Sequence, residues 1–515
     1  MNWKSAIALA FAACTPGVLA AFGVTTGSGY LSVDTGGGLV FRVSTSSGDI
    51  TSLKYNNIEC QDSSKYTHIG SGLGSATVSY KISGNYATIT IATSTLTQYY
   101  VAVSGQSAIY IGTYTTAEPS VGELRFIARL SKSALPKGGT AIEGSDVYSL
   151  NGQTRSKFFS SVQFIKDQVH GVTGNGVGVY MVMPGNAYET SGGGPFFRDI
   201  NNQAGSSQQE LYWYMNSGHM VTQSFRTGFF GPYAMVFTSG NAPSASLDTS
   251  FFANLGIKGY VAASGRGTVK GTVSGVPSGF TAVVGLDNSA AQYWGTVSGT
   301  SYTINGVKPG TYKATLYKKE LEVGTGSVTV SAGGTATLNL ASTESIKSNI
   351  WQIGLPDGTP SGFLNADKIE SMHPTDSRMS GWGPVTYTIG SSSPSSFPMA
   401  QFVAVNNPTT IKWTATSSQI GARTLRIRTT SSFAGGRPAI KVNNWSSANP
   451  AAPTKIDSRG VTRGTWRGYN QLYEYAIPSG TLVAGSNTIT ISVISGSSGD
   501  AFLSPNVVYD SVELY

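Results

Sequence analysis

Short runs of alternating or β-branched residues, cut by glycine, serine and asparagine, dominate this chain. Ala76–Tyr80 (ATVSY), Tyr86–Ala92 (YATITIA) and Ala108–Tyr114 (AIYIGTY) are of this kind. Such runs read as strands, because a period of two puts alternate side chains on opposite faces of a sheet. They recur about every 8–12 residues, the spacing of β-sandwiches and barrels. Amphipathic helical stretches are few; Ser342 to Trp351 is predicted as one short helix. The fold class is therefore all-β.

Two changes of rhythm divide the chain. Near Gly259 it enters a smaller unit containing Tyr302–Leu316 (YTINGVKPGTYKATL) and Gly326–Gly334 (GSVTVSAGG), with Pro309-Gly310 as a turn between strands. That unit predicts one fibronectin-III-like sandwich over 259–341. Beyond Ala341 the chain ends in long alternating strands such as Thr488–Val493 and Val507–Leu514. A jelly roll of the carbohydrate-binding kind is expected for 342–515, and a large β-sandwich for 21–258. Residues 1–20 read as a secretory signal peptide: Lys4 is the positive end, Ala6–Cys14 the apolar run, and Val18-Leu19-Ala20 a small-residue cleavage site. A secreted, extracellular protein is expected.

Composition narrows the function. Charged residues are 12% of the chain, against about 25% in an ordinary soluble protein. Aromatics at 11% exclude a disordered chain, and no heptads mark a coiled coil. Two cysteines cannot build a cysteine zinc or iron–sulfur site. Cys14 leaves with the signal, so Cys60 stays alone and is expected as a small buried hydrophobe. The net charge of +8, one less without Lys4, suits an acidic polysaccharide or mere solubility. No lysine–arginine run points to nucleic acid, and no later apolar stretch approaches a membrane span. A monomer is expected. The sequon Asn444-Trp445-Ser446 marks Asn444 as a candidate glycosylation site.

Several motifs are missing: there is no P-loop, HExxH or G-x-S-x-G, and Gly265-Arg-Gly267 with Gly271 misses the dinucleotide spacing. No cofactor is expected; a structural calcium ion held by Asp and backbone oxygens leaves little trace in a sequence. The richest segment is Gly122–Tyr233, where Tyr212-Trp213-Tyr214 precedes a small-residue turn and His219. On a strand, Tyr212 and Tyr214 share one face and Trp213 takes the other. Paired phenols on one face fit either a core or a wet sugar cleft.

GELRFIARL, GTAIEGSDV, TRSKF, SGGGPFFRDI and LYWYMNSGH in the first unit, and MHPTDSRMS, SFAGGRP and DSRGVTRG in the last, carry a resemblance along nearly the whole chain. In these strings the chain resembles the fungal rhamnogalacturonan lyases of polysaccharide lyase family 4. The resemblance implies β-elimination at galacturonate in the rhamnogalacturonan I backbone of pectin, leaving a 4,5-unsaturated uronate. It implies Lys157 as the base at C5, His219 as the acid at O4, and Arg125 on the substrate carboxylate, with the base and acid roles open to exchange. Tyr212, Tyr214 and Arg459 are implied as substrate-binding residues, Arg459 equally as a structural ion pair. Lysine titrates near 10.4 in isolation, so a base role requires burial or a neighbouring cation; Arg155 is the expected one. His68, His170 and His373 read as structural or surface residues. The chain departs from the family pattern in a shorter Leu130–Gly139 segment and in its lack of cysteines.

Two rival functions remain at this level. A glycoside hydrolase of the same polymer needs two carboxyl groups about 5 to 9.5 Å apart, and Glu123, Glu143, Asp146 and Asp199 are available. A non-catalytic wall-binding protein would keep the modules without the chemistry.

Overall fold

The computed structural model describes residues 22–118, 122–138, 146–221, 223–455 and 459–515. The signal-peptide reading and Glu143 fall outside them. The described chain is almost entirely strands, and its one α-helix is the single turn Gly460–Arg463. No helix in it is long and apolar enough to cross a membrane.

The N-terminal part holds three antiparallel sheets around one core. A five-stranded meander runs from Gly23–Gly27 to Ile58–Glu59. A seven-stranded sheet has Val169–Gly174 at one edge and Thr77–Ser83 at the other, with Gly228–Thr238 and Ala108–Thr115 near its centre. A four-stranded sheet is ordered Asn202–Ala204, Gln208–Ser217, Glu123–Ser131, His68–Ile69. Phe41, Phe126, Trp213, Tyr233 and Met235 belong to the shared core. Cys60 is fully buried with a free thiol, pushed up to about 12 by burial and by Glu59.

The pair Glu123–Ser131 and Gln208–Ser217 positions the site. Every residue of Gln208–Ser217 is buried, so both faces of this strand are covered and each needs its own partners. Phe126 opposes Trp213 on the core face, while Arg125 opposes Tyr214 on the other. The register shifts between Leu124 and Arg125. Such a bulge bends a strand and re-aims the side chains beyond it, here Glu123 and Arg125.

Two smaller sandwiches follow. In the first, the sheet with Gly267–Ser274 and Ser301–Val307 faces the sheet with Ala282–Asp287 and Gly310–Lys318 across a core of Val284, Tyr293, Tyr312 and Leu316. In the second, two five-stranded sheets enclose Phe397, Tyr509, Ile427 and Ile489. One is built on Arg423–Phe433 and Asn506–Leu514, the other on Thr409–Ala415 and Gly485–Ile494. This is the fibronectin-III-like and carbohydrate-binding-like architecture expected from the strand rhythm.

The helix expected over Ser342–Trp351 is absent: the segment is extended and enters the strand Trp351–Gly354. Ser, Thr and Asn compete for backbone groups and disfavour helix interiors. Accordingly, Glu344 N–H donates to Ser342 Oγ at 3.2 Å and Thr343 N–H to the Val323 carbonyl at 2.6 Å. Ile346, 76% exposed, finds no face to bury.

Trp213 is 1% exposed, with its ring centroid 3.9 Å from that of Tyr233. Trp213→Ala is expected to cost about 3–5 kcal/mol, the range for deleting a large buried aromatic. Guanidinium unfolding of the full chain, followed by circular dichroism, measures this; a loss under about 1 kcal/mol contradicts the packing described.

Candidate active site

The face of the four-stranded sheet opposite the core carries a chain of polar contacts. Tyr212 and Tyr214 lie two residues apart, so their rings stack at 5.4 Å. Both are buried, and buried phenols need partners. The Tyr212 hydroxyl donates to Glu210 Oε2 at 2.7 Å and accepts from Gln203 Nε2 at 2.5 Å. The Tyr214 hydroxyl accepts from Arg125 Nη1 at 3.1 Å. Burial holds both phenols well above their ordinary range, so both stay protonated. The expectation of an open sugar-contacting tyrosine face is thus corrected for Tyr212, whose hydroxyl is committed inside the protein. Its role is to support Arg125, whose guanidinium carbon sits 5.9 Å from the Tyr212 ring and 5.7 Å from the Tyr214 ring.

Arg125 also donates to Glu123, two residues earlier on the same face. Burial works against its charge, but Tyr214, Glu123 and Tyr212 together raise it. Arg125 is therefore a fixed cation, its side chain 20% exposed and so open to an anion from solvent.

His219 stands in the turn that follows Gln208–Ser217. Its backbone N–H donates to Ser217 Oγ at 3.1 Å. Its Nδ1 lies 2.9 and 3.2 Å from the two oxygens of Asp199. Burial raises Asp199, but the His219 charge and the hydrogen bonds from His219, Ser217 and the Ile200 N–H outweigh it, and the carboxyl is held below its usual range. An ionised Asp199 accepting from Nδ1–H leaves Nε2 as the working nitrogen. That atom lies 3.9 Å from Glu123 Oε2, on the Arg125 side of the site.

Lys157 follows directly on the strand Gln153–Ser156, in a turn rather than within the strand. It is partly buried. Burial lowers its pKa, Asp146 raises it, Arg463 lowers it, and Asp199 and Glu123 raise it; the net direction is down. Asp199 and Glu123, which lie against His219, thus also act on Lys157 through their charge. Arg155 is not the cation that depresses Lys157. It bonds Gln153 Oε1 at 2.9 Å, lies 4.0 Å from Asp376 and packs over Phe159. The sequence reading failed there because the strand stops before Lys157, so the two residues share no continuous face.

Arg459 crosses from the third domain to ion-pair with Asp146 Oδ2 at 2.8 Å, with its side chain 36% exposed. His373 is buried in the same neighbourhood, pushed down to about 4 by burial against a small opposing pull from Asp146. His170 is buried between Asp167 Oδ1 at 2.9 Å and the Tyr212 carbonyl at 2.6 Å, and His68 lies 3.6 Å from Asp49. Asn444 is exposed in the turn between Arg437–Val442 and Trp445–Ser446. Asp199, Glu123 and Arg463 escaped the reading of the sequence as working partners. Asp199 precedes His219 by twenty positions and Arg463 lies in another domain, so no spacing links them.

The three described carboxylates of this site are engaged: Glu123 by Arg125, Asp199 by His219, Asp146 by Arg459 and Arg463. A hydrolase needs one of its pair free and protonated. The arrangement instead offers a lowered lysine, an oriented imidazole and a fixed guanidinium, which is the equipment of a polysaccharide lyase. Family models agree along the chain. Residues 22–259 match the one described as Rhamnogalacturonan lyase B, N-terminal. Residues 265–338 match polysaccharide lyase family 4, domain II, and residues 349–514 match domain III of that family. The chain belongs to polysaccharide lyase family 4. It is 55% identical to rhamnogalacturonate lyase A of Aspergillus aculeatus, over 98% of this chain and 99% of that one. It is also 55% identical to rhamnogalacturonate lyase A of Emericella nidulans, over 96% of each. The probable rhamnogalacturonate lyase A of Aspergillus terreus is 56% identical over 95% of this chain and 94% of that one.

Asp199→Asn keeps the size of the side chain but lets an amide donor face Nδ1, favouring the wrong tautomer of His219. Turnover on the polysaccharide substrate is expected to fall about 100-fold, the lower end of the range for a lost acid–base group, with KM little changed. Wild-type turnover in this variant contradicts the role given to the pair.

Proposed function

We propose that this polysaccharide lyase is a secreted endolyase of the rhamnogalacturonan I backbone of pectin, cutting the rhamnose–galacturonate bond by β-elimination. One observation carries the residue assignment: His219 touches Asp199 and Glu123, Glu123 in turn holds Arg125, and Arg463 joins the His219 carbonyl to the N–H of Phe158, the residue after Lys157. Three motifs far apart in sequence thus meet at one point.

The galacturonate C5 proton is weakly acidic, because the adjacent carboxylate is already negative. Arg125 offers a planar fork to that carboxylate and offsets the charge that builds on it as the proton leaves. Neutral Lys157 takes the proton from C5. The C5–H electrons form the C4–C5 double bond as the C4–O4 bond breaks. His219, protonated at Nε2, gives its proton to the leaving O4. No water is consumed, and the two protein groups end with one proton exchanged between them. The chemistry is carried by side chains and asks for no cofactor. Secretion rests on the leader-like N-terminus and fits the sequon Asn444 on an exposed turn.

The pH dependence follows from the base. Lys157 works only as the neutral amine, whose fraction grows as pH rises through its pKa. Because that pKa is lowered, the rising limb of activity is expected below the value near 10.4 of an ordinary lysine. Lys157→Ala is expected to cost at least about 100-fold in turnover while the protein still binds the polymer. The measurement is the near-ultraviolet absorbance of the unsaturated uronate, followed across pH on rhamnogalacturonan. An acidic optimum, or an active Lys157→Ala, sinks Lys157 as the base; new reducing ends without absorbance sink the elimination.

A further inference from the structure

The single helical turn Gly460–Arg463 belongs to the third domain, yet it lies against the first domain between His219 and Lys157. Arg463 Nη1 donates to the His219 carbonyl at 2.9 Å, and its Nε to Asp146 Oδ1 at 3.3 Å. The Arg463 carbonyl accepts from the N–H of Phe158, the residue after Lys157, at 2.9 Å. One residue of the third domain thus grips the backbone on either side of the reaction and the carboxylate that faces Lys157. It is 8% exposed. The chain is shaped for this approach. Gly464 ends the turn at φ +95°, and a Cβ there would run into Ser156 Oγ, one residue before Lys157. Arg459 opens the turn with φ +35°, a strained backbone for a non-glycine residue, and clamps the other oxygen of Asp146.

We propose that Arg463 is a positioning residue for the elimination, so that the third domain, docked through it, sets the spacing and charge balance of Lys157 and His219. This rests on the roles given to those two residues above. It assigns the third domain a part in turnover beyond holding polymer.

Among the described residues, the charged groups acting on Lys157 are Asp146, Glu123 and Asp199 from the first domain and Arg463 from the third. Arg459 and His373 face Asp146 in turn. The signs are opposite for the two nearest partners. Removing Arg463 removes a lowering influence and leaves Asp146 less compensated, so the neutral amine appears at higher pH. Removing the charge of Asp146 makes it appear at lower pH.

Full-length Arg463→Met, Arg463→Lys and Asp146→Asn test this through kcat and KM across pH, read by uronate absorbance, with melting temperature alongside. Arg463→Met is expected to lose up to about 100-fold in kcat, the scale of misplaced catalytic groups, with KM within about threefold, and to move the rising limb of activity to higher pH by about one unit. Arg463→Lys keeps the charge but has one nitrogen for two acceptors, so kcat falls about tenfold while the limb stays in place. Asp146→Asn moves the limb to lower pH. A melting temperature that falls while kcat and limb stay at wild type in all three overturns the proposal. If Arg463→Met does not fold, wild-type kcat in Arg463→Lys together with an unmoved limb in Asp146→Asn overturns it. Lys157→Ala is run in parallel: if it remains active, the underlying assignment of the base has failed, which is a separate result.

Discussion

Everything in the site hangs on a strand that is buried on both faces. Gln208–Ser217 has no exposed residue, and an all-buried strand must satisfy polar groups wherever it carries them. Its period of two splits the aromatic triplet. Trp213 goes to Tyr233 and Tyr188 in the core. Tyr212 and Tyr214 go to a layer of Glu210, Gln203, Arg129 and Arg125. The second layer is a polar core in its own right. Because its hydroxyls and carboxylates are mutually bonded, Arg125 is held in place by Tyr214 and Glu123. Electrostatic stabilisation of a developing charge depends on such preorganisation.

The balance around Lys157 shows which effect wins. Three carboxylates favour its ammonium form, and burial with Arg463 opposes them; the net direction is down. Desolvation of the amine therefore outweighs attraction to neighbours that are themselves engaged elsewhere. Asp199 is tied to His219, Asp146 to two arginines, and Glu123 to Arg125. Had any of them been left without its cation, its full charge would act on Lys157 and return it towards an ordinary lysine. The paired carboxylates thus make a buried, lowered amine compatible with an acidic neighbourhood.

Much of this was legible from the amino acids. The all-β class and the three-part order follow from alternation and turn residues, which are local. The face-sharing of Tyr212 and Tyr214 follows from the strand period alone. What stayed hidden was non-local. No spacing rule joins Asp199 to His219, and the end of the strand one residue before Lys157 moved the depressing cation from Arg155 to Arg463. The short helix expected over Ser342–Trp351 was a weak period laid on residues that prefer to bond their own backbone. The openness of the tyrosine face was equally unreadable, since composition does not say whether Gln203 and Glu210 close over a phenol or leave it to solvent.

The low charge content also takes on a different meaning. A chain with 12% charged residues has few ions to place, yet seven of them, Glu123, Arg125, Asp146, Lys157, Asp199, Arg459 and Arg463, gather around the ionisable His219 in one linked group. They mix both signs, and most are tied by direct ion pairs. In a partly buried setting an unpaired charge is costly while a paired one is tolerated. Supplying the last two cations from the third domain lets the first domain keep Asp146 charged beside Lys157 without trapping the proton there. The third domain's docking is then part of the same charge balance that holds the Lys157 pKa down, and the carbohydrate-binding-like fold is the scaffold that brings those arginines to it.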